Sequence, residues 1–221
     1  MKKIFFLSVL SVVVISLVSF KKSTINNSKV SENDTLLFEG EKHFANMQQL
    51  TFGGDNAEAY FSFDGKWIIF QKTYLKEGIP CDQMYVGKVP NPGEKFEYKL
   101  VSTGKGRTTC GAFLKDGKHV VYASTHLDAN DCPPVPDRTK YGNKYIWPLY
   151  SSYDIFMADL DGKIVKQLTN SKGYDAEATI SPDGKKMLYT STKDGDIDLY
   201  VMNLKTGKEK RITSALGYDG G

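Results

Sequence analysis

One stretch of the sequence, residues 124 to 153, concentrates side chains that are able to bind or react. It reads STHLDANDCPPVPDRTKYGNKYIWPLYSSY and supplies these candidate binding residues: His126, Asp128, Asp131, Arg138 and Trp147. An imidazole and two carboxylates could form half of a metal site, but no second histidine lies nearby. We therefore predict an ordinary polar loop without a metal. Its aromatic side chains could stack on a sugar or a peptide, or pack against the rest of the fold.

Two glutamates form a second candidate group. Glu58 in AEAYFSFDGK and Glu177 in AEATISPDGK occupy the same place in two similar segments, and Cys110 in CGAFLKDGK occupies it in a third. Carboxylates gathered at one place could bind a cation or a basic group of a ligand. The alternative is that each glutamate accepts hydrogen bonds from a neighbouring backbone or is simply solvated.

The motifs of common catalytic sites are missing from the sequence. There is no G-x-S-x-G, H-E-x-x-H or Walker A spacing. The stretch DGDID, residues 194 to 198, begins like a calcium-binding loop. It has Leu199 where that loop needs glycine and Lys205 where it needs glutamate. We predict no catalytic residue, no metal and no cofactor, and we favour a protein that is not an enzyme.

The elements that position these residues are predicted by an internal repeat. The three segments that contain Glu58, Cys110 and Glu177 each consist of two apolar runs joined by Asp-Gly, which is a strong signal for a β-hairpin. Residues 154–169 match residues 198–213, and the GYD at 173 matches the GYD at 217, at one common offset of 44 residues. Four strands in a period of this length are typical of a β-propeller blade. Unrelated hairpins in a β-sandwich are the alternative, but they leave the common offset unexplained.

Blade geometry places the candidate residues at one rim. If the strands run outwards from the channel, the tight turns lie at one end and the longer connections at the other, where sites are usually built. The second repeat carries a 23-residue insertion at that end, relative to the third. All three cysteines, Cys81, Cys110 and Cys132, map to the same rim. We predict one disulfide, most simply Cys110–Cys132, with Cys81–Cys132 as the competing pair.

The N-terminus has the pattern of an export signal. Two lysines precede an apolar run, residues 4–20, and two more lysines follow it. An uncleaved anchor is the alternative. The whole chain carries a formal charge of +3, and without the four lysines of residues 1–22 that charge is −1. A nearly neutral exported chain has no electrostatic pattern for nucleic acid or for an anionic membrane, and we expect it in the periplasm or cell envelope.

Here the sequence resembles a known family. SPDGKKMLYTS and SFDGKWIIFQ, each leading on to a QLT or RIT strand, look like the Pro-Asp variant of WD40-like repeats. These occur in TolB-like six-bladed propellers of bacterial periplasms and in the propellers of prolyl-oligopeptidase relatives. The resemblance covers roughly residues 49–221, although FLKDGK lacks both Ser and Pro and SFDGK lacks Pro. It implies an all-β propeller of four-stranded antiparallel blades.

About three blades can be counted, so we expect a C-terminally truncated six-bladed propeller that is poorly soluble or oligomeric by itself. The predicted organisation is as follows: a signal peptide or anchor at 1–22, a linker at 23–40 and a partial propeller at 41–221, with repeats at 49–99, 100–167 and 168–212 and the start of a further blade at 213–221.

The favoured function is an exported, non-catalytic binding module that presents its loop-rich rim to a protein or peptide partner. The alternatives are the propeller of a larger prolyl-oligopeptidase-type hydrolase, and a propeller enzyme such as a polysaccharide lyase.

Overall fold

The computed structural model describes residue 36, residues 38–142 and residues 144–220. The predicted signal segment, most of the predicted linker and Gly221 lie outside the described residues. The chain forms two compact units, residues 1–47 and residues 48–221. In the first, the described residues contain a turn from Phe38 to Glu41. Within the part of the chain that the structure describes, no helix is long and apolar enough to span a membrane.

The second unit consists of three four-stranded antiparallel sheets, each with its strands in chain order. The first contains β1 (Asp55–Phe61), β2 (Trp67–Tyr74), β3 (Ile79–Lys88) and β4 (Tyr98–Leu100). The second contains β5 (Thr108–Phe113), β6 (His119–Ser124), β7 (Asp154–Asp159) and β8 (Ile164–Gln167). The third contains β9 (Asp175–Ile180), β10 (Lys186–Ser191), β11 (Asp198–Asn203) and β12 (Glu209–Arg211). Short 3-10 helices lie at Leu75–Glu77 and Arg138–Tyr141. The predicted fold class, a partial β-propeller, is confirmed.

The S-x-D-G-K motif closes its turn through side-chain hydrogen bonds. In the third sheet, the Ser181 hydroxyl donates to Asp183, and the Asp183 carboxylate accepts from the backbone N–H of Lys185. Gly184 follows with a φ of 76°, which glycine adopts without strain. Hydrogen bonds to the ionised form, first from Ser181, lower the pKa of Asp183. The turn is therefore specified locally, which explains why the sequence predicted it.

Apolar residues between successive sheets form the cores. Ile69, Met84 and Val86 of the first sheet pack against Phe113, Val120 and Tyr122 of the second. A second core joins the other face of the second sheet to the third, and its fully buried members include Val121, Ala123, Ile155, Ala176 and Met187. Because neighbouring residues of a strand point to opposite faces, β6 contributes to both cores.

Each sheet also repeats one polar contact on its third strand. A hydroxyl that follows the fourth strand accepts from a backbone N–H of the third strand and donates to a side chain beside it. That side chain is Gln83 in the first sheet, Asp154 in the second and Asp198 in the third. Asp198 is fully buried and also accepts from Arg211. Asp154 accepts instead from the neutral Gln167 amide.

Replacing Asp154 or Asp198 by asparagine removes a negative charge, and the two replacements should change the free energy of unfolding in opposite directions. Burial, and then the charge of Asp175, raises the pKa of Asp154 to about 6. Because this value lies above the unfolded value of 3.8, the group contributes stability at low pH that is lost as the pH rises through 6. We expect Asp154→Asn to raise the free energy of unfolding at pH 7.5 by about 1 kcal/mol, allowing for its partial exposure. The gain should vanish near pH 4.

The matched control is Asp198→Asn, which should lower the free energy of unfolding by about 1–3 kcal/mol at pH 7.5 because Arg211 loses its charged acceptor. Urea denaturation of both variants, followed by circular dichroism at the two pH values, measures the difference. Gln83 shows that a neutral side chain suits this position. If both variants changed the free energy of unfolding at pH 7.5 in the same direction, the opposite roles given to Asp154 and Asp198 would be contradicted.

Candidate functional site

The first strand of each sheet, β1, β5 or β9, contains the same irregularity in its pairing. We call these three strands the inner strands. In β1, Glu58 and Ala59 together lie opposite Phe70, because the pairing shifts register between Ala57 and Tyr60. The same shift places Cys110 opposite Tyr122 in β5, and Glu177 opposite Tyr189 in β9. Two residues facing one define a β-bulge, which redirects a side chain out of the ladder.

The first residue of each bulge has a left-handed backbone although it is not glycine. The φ angles are 49° at Glu58, 48° at Cys110 and 58° at Glu177. This conformation costs a non-glycine residue roughly 1 kcal/mol or more and is found preferentially at functional sites. We call these three residues the bulge positions.

The bulge positions line a cavity of about 390 Å³, which we call the mouth cavity. Its wall also includes Tyr60, Trp147 and Tyr218. Glu58 accepts a hydrogen bond from the Tyr60 hydroxyl, and this bond is the main reason that the pKa of Tyr60 rises to about 12. Glu177 accepts from the hydroxyl of Tyr174 at 3.4 Å. Both carboxylates thus accept a hydrogen bond from a tyrosine hydroxyl.

A second cavity of about 330 Å³ lies under the insertion, and we call it the insertion cleft. Its wall includes Asp82, Arg107, Arg138, Tyr145 and Tyr150. Glu58, Cys110 and Trp147 line both cavities, so the two adjoin. Together they form one groove between the inner strands and the insertion.

The insertion is held over the inner strands by covalent and polar contacts. Cys81 of β3 forms a disulfide with Cys132, with 6.0 Å between their Cα atoms. Beside it, the Arg107 guanidinium donates to the Asp82 carboxylate at 2.7 and 3.0 Å, and both side chains are largely buried. The Tyr150 hydroxyl donates to the backbone oxygen of Pro134, which folds the insertion back on itself.

The predicted pairing of Cys110 with Cys132 is wrong, because Cys132 is bonded to Cys81, and Cys110 is a free thiol. Burial raises the pKa of Cys110 to about 12, and the charges of Glu58 and Glu177 add to this effect. The thiol therefore stays protonated and neutral at physiological pH, and it lacks the thiolate character of a reactive cysteine.

Four of the seven candidate binding residues meet in the groove: Glu58, Arg138, Trp147 and Glu177. Arg138 lies over the ring of Tyr145, with 5.2 Å to the ring centre. His126 does not line the groove, because its ring packs on Phe156 at 4.4 Å between centres. Burial, and then the charge of Lys105, lowers the pKa of His126.

Asp128 and Asp131 are exposed and line neither cavity. Among the described residues, no group of three or more His, Cys, Asp or Glu side chains could hold a metal ion.

Sequence reasoning missed four groove residues that the structure makes prominent. Tyr60 and Tyr218 flank the carboxylates of the mouth cavity, and the Arg107–Asp82 pair lines the insertion cleft. Tyr218 belongs to the repeated GYD phrase, so its position was visible, but its approach to Glu177 depends on how the chain returns after β12. The Arg107–Asp82 pair links β3 to the connection just before β5, 25 residues later, and so has no local signal.

Comparison with known proteins gives the following relatives. No protein-family model matches the chain. The Tol-Pal system protein TolB of Francisella tularensis subsp. tularensis (strain WY96-3418) is 26% identical over 208 residues, which cover 88% of this chain and 42% of that protein. A TolB homolog of Chlorobaculum tepidum is 37% identical over 59 residues, or 27% of this chain and 14% of that protein.

The crystal structure of TolB from Acinetobacter baumannii covers 73% of this chain and 33% of its own, with a TM-score of 0.45 and 19% identity. The chain thus spans about two fifths of the length of the TolB relative that it matches over most of its own length. The resemblance to TolB-like propellers that the repeats predicted is confirmed.

The disulfide should control the stability of the insertion. We expect the double variant Cys81→Ser, Cys132→Ser to lose about 2–4 kcal/mol of unfolding free energy, because the bond closes a long loop. Proteolysis between residues 126 and 150 should accelerate in parallel. Denaturant unfolding without reductant and limited proteolysis measure the two effects.

The control is Cys110→Ser, which leaves the bond intact and should change stability by only about 0.5 kcal/mol. A double variant as stable and as protease-resistant as the parent would contradict a constraining role for the bond.

Proposed function

Because this chain is similar to TolB proteins over most of its length, we propose that it is a non-catalytic binding module that presents the groove-bearing rim to a protein or peptide partner. The observation that carries the proposal is the groove itself. It joins two cavities of about 330 and 390 Å³ at the end of the sheets that carries the long connection between β6 and β7.

The side chains around the groove have the composition of a recognition surface. Trp147 is 47% exposed, Tyr145 77% and Tyr218 59%. Tryptophan, tyrosine and arginine dominate the binding energy of protein interfaces, since they combine a large apolar area with a polar group. Arg138 beside Tyr145 adds the third of these residue types. An extended segment of a partner could lie along the groove and contact these side chains in succession.

The proposed setting is the bacterial cell envelope. The predicted export signal at residues 1–22 supports it. The relative from Francisella tularensis is named as a protein of the Tol-Pal system, which supports a protein partner in the same setting. We propose the domain bounds given above, with the partial propeller at residues 41–221, as the unit that carries this function.

Position-specific photo-crosslinking tests the proposal. A photoreactive amino acid at Tyr145, in the groove, should crosslink to an envelope protein when the full chain is produced in a bacterium whose envelope contains the Tol-Pal system. The same amino acid at Asp161, in an exposed tight turn at the opposite end of the sheets, is the matched control and should give much less product.

A second variant tests whether an aromatic side chain of the groove contributes to partner binding. Trp147→Ala should reduce the crosslink from Tyr145 about tenfold, because it removes an exposed aromatic contact worth roughly 1–2 kcal/mol. Equal crosslinking from Tyr145 and Asp161, or a yield that Trp147→Ala leaves unchanged, would contradict a partner at this rim.

A further inference from the structure

The mouth cavity has a wall of unusual composition for its size. Three aromatic side chains line it, and each is about half exposed: Tyr60 at 49%, Trp147 at 47% and Tyr218 at 59%. Such rings present negative π faces or polar hydroxyls to whatever enters. Aromatic walls of this kind are favourable surroundings for an organic cation.

The charges in the wall have a single sign. Glu58 and Glu177 are its ionisable acids, and no lysine or arginine is among its lining residues. The third bulge position, Cys110, is a neutral thiol between the two sheets that supply the carboxylates. The basic side chains of the groove, Arg107 and Arg138, line the insertion cleft instead. The groove is therefore acidic at one end and carries its arginines at the other.

We propose that the mouth cavity binds a lysine or arginine side chain presented by the partner, with its cationic head between Glu58 and Glu177 and its alkyl stem against Trp147. This inference rests on the proposed function and names the chemistry that the partner must supply. A cationic head can donate to both carboxylates, while the apolar stem removes ring surface from water.

The geometry favours an organic cation over a metal ion. A divalent metal needs several oxygen or nitrogen ligands around one point, and the described residues contain no group of three that could provide them.

The test uses the full chain and three capped heptapeptides that differ only at the central residue of a glycine sequence: arginine, lysine or norleucine. Nuclear magnetic resonance titration follows two probes, the Trp147 indole N–H and the backbone N–H of Gly111, both of which belong to lining residues. The arginine and lysine peptides should shift both signals in a saturable way. The norleucine peptide, which has a similar stem without charge, should bind at least about tenfold more weakly.

Two isosteric variants test whether the carboxylates of the mouth cavity bind the cationic group of the peptide. Glu58→Gln and Glu177→Gln should each weaken the arginine peptide about threefold and together about tenfold, as expected for partly exposed ion pairs. Glu97→Gln, which removes the same charge from an exposed site that lines neither cavity, is the matched control and should leave binding within about twofold. Thermal unfolding of each variant verifies that the fold is retained.

Several outcomes overturn the inference. The inference fails if the norleucine peptide binds as tightly as the basic peptides, or if the basic peptides shift neither signal. It also fails if Glu97→Gln weakens binding as much as the Glu58 and Glu177 variants do. Finally, it fails if magnesium or calcium chloride at low millimolar concentration displaces a bound peptide and shifts the same two signals. If the basic peptides fail while the Tyr145 crosslink holds, only the cation site is refuted. If the crosslink fails, the proposed function falls regardless of the peptide result.

Discussion

A four-stranded sheet with two apolar faces cannot be stable alone, and the structure of the second unit follows from this constraint. The middle sheet shows it most directly, because Tyr122 packs towards the first sheet while Val121 and Ala123 pack towards the third. Strand alternation thus makes each sheet the cover of its neighbours. Face-to-face stacking places the three inner strands side by side, and it is this arrangement that brings residues more than 100 positions apart, such as Glu58 and Glu177, into one cavity.

The bulge positions supply polar side chains to the cavity that this stacking creates. The same backbone irregularity recurs in three sheets whose side chains at that point differ, so the geometry belongs to the repeat and the chemistry belongs to the individual residue. A further constraint follows the bulge: a Cβ added to Gly111 would lie 2.5 Å from a methyl group of Met84. Gly111 therefore packs closely against side chains of the neighbouring sheet, while Cys110, the residue before it, lines the cavity.

Local signals in the sequence made the fold predictable. The features that could not be predicted depend on contacts between residues far apart in the chain. Asp183 and Gly184 close their turn with bonds inside a few residues, so the hairpin was legible in the sequence. Glutamate has no particular preference for positive φ, so nothing marked Glu58 or Glu177 as bulge residues. The partner of Cys132 depends on the path of a long insertion, and the sequence could only offer Cys110 and Cys81 as alternatives. Placement of the carboxylates at a shared mouth was predictable from the repeat, but their tyrosine partners were not.

The neutral residue in the middle sheet bears on how the two carboxylates can act. A carboxylate at the position of Cys110 would add a third negative charge to the wall of the cavity. With a protonated thiol there, the carboxylates in the wall are those of Glu58 and Glu177, which belong to the first and third sheets. A ligand with one compact charge and an apolar stem matches this pattern better than one with charge spread over its length. For the proposed cation site, the neutral Cys110 therefore favours a ligand of this kind.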